Sequence, residues 1–331
     1  MSRMPELPAA ASALVAPVVD GPRRGGVVVA SFPTCVYAVL DDPDLPAAAR
    51  LVAVLAPGAL LLPGGIRLAT GRVAGGWASG SVGDRVVVGS GVVELPGWSA
   101  RMVRVWQPTR VRRRAVRASA AAPAAPAAPG VPDAAAPTAG DGMPRWSGVL
   151  PAPLERVDVA PHLVSRASAL ATAALGGGSV AEALGPLVGA GTGLTPSGDD
   201  AVCGVLLVLH GLGRSVPGSQ LDGILHRTTS LSAALLSAAR QGYAVPEVVR
   251  LVEAVLDRVV DARCGDDAVA AALPSVLAIG HSSGRDLVAG VLGALGALSA
   301  SRSGIPAASD CHTVIRVGLQ PTHRFTEGCG P

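Results

Sequence analysis

Two adjacent carboxylates, Asp199 and Asp200, end a run of glycines and hydroxyl residues, Gly189-Ala-Gly-Thr-Gly-Leu-Thr-Pro-Ser-Gly198. Gly191, Gly193 and Gly198 let the backbone approach a ligand closely, and Thr195 and Ser197 bring hydroxyl donors. A Gly-rich loop that enters a helix N-terminus can cradle a phosphate or carboxylate, because free N–H groups and the helix dipole both face it. The aspartates cannot serve that cradle directly, since carboxylates repel anions. One of them could bind a cation such as Mg²⁺ or orient an amide NH₂. The plainer alternative is that Asp200 caps its helix and the glycines make a tight turn.

The pattern occurs twice. Ser197-Gly-Asp-Asp-Ala-Val-Cys-Gly-Val-Leu206 recurs as Ser283-Gly-Arg-Asp-Leu-Val-Ala-Gly-Val-Leu292. Each copy sets a serine three residues before an aspartate (Asp200, Asp286) and runs into an apolar stretch, which predicts a capping box opening a buried helix. Gly204 and Gly290 hold the same place, where glycine costs about 1 kcal/mol relative to alanine. A close crossing of the two helices at these glycines, about an approximate two-fold axis, would offset that cost. Both polar starts would then face one pocket.

The second start brings Ser282, Ser283 and Gly284, preceded by His281, which either polarises a carbonyl or shuttles a proton, or is an ordinary loop histidine. Arg285 stands where the first copy has Asp199, so the half-sites present opposite charges, suiting a substrate with an anionic and a donor-rich end. Thr229 and Ser230, in Thr228-Thr-Ser-Leu-Ser232, either cap the next helix or aim hydroxyls at the same ligand. The catalytic candidates are thus Asp199, Asp200 and His281. The substrate-binding candidates are Gly191, Gly193, Thr195, Ser197, Gly198, Thr229, Ser230, Ser282, Ser283, Gly284, Arg285 and Asp286, and no metal ligands are assigned.

Positioning these residues falls to a chain with two different halves, an α+β arrangement. Residues 1–24 read as a disordered start. In residues 25–110, short Val-rich runs at 26–31, 35–40, 51–55, 85–89, 92–95 and 101–106 predict a small antiparallel sheet or barrel, with Leu62-Pro-Gly-Gly-Ile66 as a turn. Residues 111–145, rich in Ala, Pro and Arg, hold almost no large apolar residue and read as a disordered linker. Residues 146–302 switch to helical period, with helices predicted at 162–175, after the Ser179-Val-Ala-Glu182 capping box, and at 197–212, 229–241, 246–260, 266–279 with a break at Pro274, and 283–300. Residues 303–331 read as a poorly ordered tail.

Composition narrows the function classes. At 331 residues with 49% hydrophobic and 15% charged residues, the chain has material for two cored domains. Its longest apolar runs fall short of a membrane span. The start carries Glu6 among Pro5, Pro8 and Pro17 and no sustained apolar core, so it does not read as a secretory signal, and the cytoplasm is the expected compartment. Five scattered cysteines form no Cys-x-x-Cys pair, which argues against a disulfide framework or a zinc knuckle. The net charge of +3 rests on Arg110, Arg112, Arg113, Arg114 and Arg117; without them the remainder is slightly acidic. With four Trp, two Tyr and two Phe there is little to stack bases on, so nucleic acid is not an expected partner. The arginine run reads as a solvated linker start.

Three blocks now on the page resemble the AllH-like family, whose named members are a subunit of oxamate carbamoyltransferase. Gly191-Thr-Gly-Leu-Thr-Pro-Ser-Gly-Asp-Asp200 is similar to the family's central Gly-x-Gly-Leu-Thr-Pro-Ser-Gly-Asp-Asp signature. Thr228-Thr-Ser-Leu-Ser232, with the Leu/Ala helix ending at Gly242, resembles the second block, and Ile279-Gly-His-Ser-Ser-Gly-Arg-Asp286 the third. The likeness covers about residues 150–300 strongly and the strand-rich half in outline; the Ala/Pro linker and the tail depart from it. It implies carbamoyl transfer between oxalurate with phosphate and carbamoyl phosphate with oxamate, during allantoin breakdown in purine catabolism, and it implies companion subunits. It carries no assignment of catalytic residues. Two expectations follow: an enzyme component that binds a small anionic metabolite at Gly-rich helix starts, or a non-catalytic metabolite-binding or assembly subunit of a larger complex.

Overall fold

The computed structural model describes residues 5–114 and 150–302, apart from residues 71, 74, 75, 78, 79, 262 and 263. The first half is a closed eight-stranded barrel. Its strands are β1 (Glu6–Ser12), β2 (Arg24–Phe32), β3 (Cys35–Leu40), β4 (Leu51–Leu55), β5 (Gly65–Leu68), β8 (Arg85–Gly89), β9 (Val92–Leu95) and β10 (Trp98–Trp106), while β6 (Arg72–Val73) and β7 (Gly76–Trp77) pair separately. Around the barrel the order is β1-β10-β9-β8-β2-β3-β4-β5, and β5 pairs back onto β1. Eight strands leave an interior that side chains can fill. Here Val28, Val36, Val52, Ile66, Val88 and Val93 fill it.

Two expectations change. The barrel is not purely antiparallel, because β1 runs parallel to β10 and β4 parallel to β5. Residues 1–24 are not simply a disordered start. Glu6–Ser12 is a barrel strand, and a short helix α1 (Ala16–Asp20) buries Val18 and Val19. β1 escapes a sequence reading because its inward residues include Ala9 and Ala11, too small to mark an alternating strand.

β4 joins the two halves. All five of its residues are buried, because Val52 and Val54 point into the barrel while Leu51, Ala53 and Leu55 join the core of the helical half. A strand covered on both faces reads as a continuous apolar run, as Leu-Val-Ala-Val-Leu does.

The helical half comprises α2 (Ala152–Glu155), α3 (Pro161–Thr172), α4 (Val180–Leu184), α5 (Ser197–Gly211), α6 (Gly218–Asp222), α7 (Ser230–Arg240), α8 (Pro246–Val260), α9 (Asp267–Leu277) and α10 (Ser283–Arg302). α5 is the central helix: every residue from Gly198 to Gly211 is buried. α8 is a surface helix whose Val248, Leu251, Val252, Val255 and Val259 face inward at helical spacing. Burying each such side chain stabilises by roughly 1.5–3 kcal/mol. α9 runs through Pro274 instead of breaking there. Among the described residues no helix is long and apolar enough to cross a membrane.

α5 and α10 cross at the repeated glycines, and the contact is reciprocal. A Cβ on Gly204 would collide with the carbonyl oxygen of Leu287, and one on Gly290 with the carbonyl oxygen of Ala201. Ala201 and Leu287 themselves occupy the same place in the two copies. Residue for residue, each helix does to the other what is done to it, as at an isologous contact.

After β10 the chain straps the helices. Thr109 donates its hydroxyl to the Ala244 carbonyl at 2.6 Å, Val111 N–H bonds the Gly242 carbonyl at 2.9 Å, and the Arg110 guanidinium lies 5.0 Å over the Tyr243 ring. Arg112 pairs with Glu253 at 2.9 Å and Arg114 with Asp257 at 2.7 Å, both acids on α8. Residues 111–114 therefore dock rather than begin a solvated linker. The rest of the expected linker and the tail from 303 lie outside the described residues.

Candidate functional site

A cavity of about 520 Å³ opens between the two halves. The barrel supplies one wall through the turn between β2 and β3 (Phe32, Pro33, Thr34), the outward side chains Cys35 and Tyr37, and Leu60 and Leu62 from the β4–β5 loop. The helices supply the other, with Leu207 of α5, Leu231 and Leu235 of α7, Val248 of α8 and Leu287 of α10. Phe32 and Tyr37 stack edge to face, their centroids 5.8 Å apart. Most of the lining is apolar. The polar group lies where the repeated helix starts meet: Thr195, Asp200 and Ser283.

Asp200 is 7% exposed, and its Oδ2 has no hydrogen-bond partner. Burial pushes its pKa up to about 7; Asp286 and Asp199 add to the rise, while the neighbouring Ser283 and Thr195 hydroxyls pull against it. A carboxyl group that exchanges its proton near neutrality, set in an apolar cavity, can act as general acid or base. Beside it the Thr195 and Ser283 hydroxyls bond each other at 3.0 Å.

Asp199, its neighbour, faces elsewhere. Successive helical residues point about 100° apart, so adjacent side chains do not share a face. Its Oδ1 accepts the Gly189 N–H at 2.8 Å, its Oδ2 accepts the Thr228 hydroxyl, and it is 1% exposed. It pins the Gly-rich loop to the segment before α7, where Gly189 has φ +79° and a Cβ would strike the Arg227 carbonyl oxygen. Asp199 is thus a structural clamp with both oxygens engaged, not a group free for catalysis.

The anion cradle expected at the start of α5 lacks most of its donors. Gly198 N–H bonds the Ala190 carbonyl at 2.8 Å, and the Asp199 and Asp200 N–H groups bond the Pro196 carbonyl at 2.9 and 3.2 Å. The same bonds explain why the Ser197–Asp200 capping box does not form: Pro196 is the cap residue, and no side chain caps it. Gly198 and Gly284 are small for a packing reason, since a Cβ on either would collide with a carbonyl oxygen, that of Leu187 or of Val276. Ser179 does cap its helix, accepting the Glu182 N–H at 3.3 Å.

The remaining candidates are dispersed. Thr229 is the cap of α7, accepting the Ser232 N–H at 3.0 Å, while its own hydroxyl donates to the Leu194 carbonyl at 2.5 Å. Ser230 opens that helix without lining the cavity. Gly191 and Gly193 are exposed in the loop, and Ser197 and Ser282 are partly buried off the lining. His281 and Arg285 are exposed and do not line the cavity, so the pairing of Arg285 against Asp199 in one pocket is not found. Asp286 is buried close enough to Asp200 to raise its pKa, 8% exposed with Oδ2 unpartnered, and does not line the cavity. The cavity thus unites Thr195, Asp200, Ser283 and Gly284.

Sequence reasoning missed Cys35, Tyr37 and Cys203 as lining groups. Nothing in a short strand or an all-buried helix marks which apolar-looking side chain will face a space. Burial raises the Cys203 thiol well above its usual range, and Tyr37 is likewise raised, by burial first and then by Cys35, so neither is ionised at neutral pH. Among the described residues no group of three or more His, Cys, Asp or Glu is placed to share a metal ion.

Residues 187–295 match the family described as oxamate carbamoyltransferase subunit AllH, which bears out the resemblance read from the three blocks. That segment holds α5 to α9 and most of α10, including every helical residue named at the polar end of the cavity. No curated protein and no solved structure matches the chain.

Proposed function

We propose that this chain is the AllH component of a carbamoyltransferase, and that its cavity holds the carbamoyl-accepting amide against Asp200. The observation that carries the reading is the buried Asp200, which lines the cavity from within the matched segment and keeps its Oδ2 unpartnered. A primary amide offers N–H donors that complement that oxygen, and its carbonyl can accept from the Thr195 or Ser283 hydroxyl.

In transfer from carbamoyl phosphate to oxamate, the amide nitrogen forms a bond to the carbamoyl carbon. The carbon–oxygen bond to phosphate breaks, its electron pair leaving with the phosphate. The proton lost from nitrogen passes to the Asp200 carboxylate. In the reverse direction protonated Asp200 returns it. A group titrating near neutrality supplies both forms at working pH.

Both substrates are anions, yet the described lining residues include no Lys, Arg or His. Their countercharge then comes from companion subunits docked over the cavity, which is consistent with a multi-subunit cytoplasmic enzyme of purine catabolism acting on a small anionic metabolite. The same observation favours a second reading, in which the chain binds or assembles and a companion performs the chemistry. The deciding experiment measures phosphate release from carbamoyl phosphate and oxamate with purified companion subunits. Asp200→Asn should lower the rate by about 10²- to 10³-fold with the complex intact. Unchanged turnover would leave only the assembly reading.

A further inference from the structure

Oxamate is a two-carbon ion, and it would occupy a small part of a cavity of about 520 Å³. That volume lies within the range of roughly 300–1,000 Å³ typical of sites for much larger ligands. Apart from Thr195, Asp200 and Ser283 at one end, the walls are dominated by Phe32, Leu60, Leu62, Leu231, Leu235 and Val248. Leu60 and Phe32 remain 39% and 42% exposed, so this apolar surface is not used up by internal packing. A charged carboxylate carried into such walls would lose its hydration with no cation among the described lining residues to replace it. An uncharged body would gain by burial.

We propose that the cavity takes a primary amide or ureide bearing an uncharged apolar substituent. The amide NH₂ donates to the Asp200 carboxyl, the amide oxygen accepts from the Thr195 or Ser283 hydroxyl, and the substituent lies along the Phe32, Leu60 and Leu235 wall. This shares with the reading above only the placement of the amide on Asp200. It goes beyond that reading in the class of ligand, since the chain alone takes an apolar amide, whereas oxamate needs the companion subunits' countercharge.

The test is calorimetric titration of the full chain with acetamide, butyramide, hexanamide, hexanoate and oxamate. Affinity should rise about fourfold per added methylene along the amides. Hexanoate should bind at least tenfold more weakly than hexanamide. Leu235→Gln should flatten the dependence on chain length. If that variant fails to fold, Leu60→Asn, at an exposed position, reads the same wall. A flat amide series, or oxamate binding as tightly as hexanamide, overturns the proposal. So does loss of the series when companion subunits are added, since the cavity would then receive a protein side chain. Carbamoyl transfer alongside a flat series would reject this inference and keep the earlier function; a rising series without transfer would do the reverse.

Discussion

Thr195 and Ser283 meet hydroxyl to hydroxyl at 3.0 Å, tying the loop before α5 to the first residue of α10. The two copies of the repeated helix start are therefore joined at the point where Asp200 faces the cavity. Both hydroxyls favour the ionised form of Asp200. Ser283→Ala should raise the pH at which Asp200 titrates, moving the acidic limb of any Asp200-dependent pH–rate profile upward. An unmoved limb would separate the hydroxyl pair from the carboxyl.

Asp200 itself makes stability depend on pH. Its pKa is about 7 in the folded chain against an ordinary 3.8, so between those values the folded state holds the extra proton. The stability it contributes is full below about 4 and is lost as pH rises toward 7, by an amount on the order of a few kcal/mol. Asp200→Asn should thus gain on the parent as pH rises from 4 to 8 in urea melts. His210 runs the opposite way, since burial, then Arg110 and Arg113, push it down to about 4, and its share of stability is lost as pH falls from 6.5. Comparing variant with parent at each pH cancels the histidine. Parallel pH curves would mean Asp200 is not buried as described.

Asp199→Asn should behave unlike its neighbour. Its amide oxygen can keep the Gly189 N–H while its NH₂ turns the Thr228 hydroxyl from donor to acceptor, so two charge-assisted bonds become neutral ones. A loss of about 1–3 kcal/mol is expected. Equal stability of the two Asn variants at pH 5 would contradict the division of roles.

Gly204→Ala and Gly290→Ala test the crossing. On an open helix either change would stabilise by up to about 1 kcal/mol. Here each methyl group meets a carbonyl oxygen of the other helix, so about 1–3 kcal/mol or more should be lost. Because both act on one contact, the double variant should lose less than the sum of the singles.

Much of the helical half was legible, because its signals are local. The heptad-like spacing of Val248 to Val259, the cap at Ser179 and the glycines at 204 and 290 each act within one or two helices. The site was legible only in part. Asp200 and Ser283 sit in repeated motifs, but whether Asp199 or Asp200 faces the ligand depends on which side of α5 meets Gly189, and a string of residues does not record that. Tyr37 and Leu60 were beyond reach. They become walls only because β4 is covered on both faces and brings the barrel onto the helices. The arginine run was misread for the same reason, since its partners Glu253 and Asp257 lie far along the chain.

That strap places the glue on one side of residues 115–149. A chain cut within that stretch would leave Thr109, Val111, Arg112 and Arg114 on the barrel piece, still matched to Ala244, Gly242, Glu253 and Asp257 on the helical piece. Each exposed ion pair adds at most about 1 kcal/mol, so the buried Val111 and the β4 face would carry the reassociation. The two pieces, produced separately, should rejoin into one particle with the cavity restored. The cavity would then work as a sensor of reunion: neither fragment alone should bind an amide, and the mixture should.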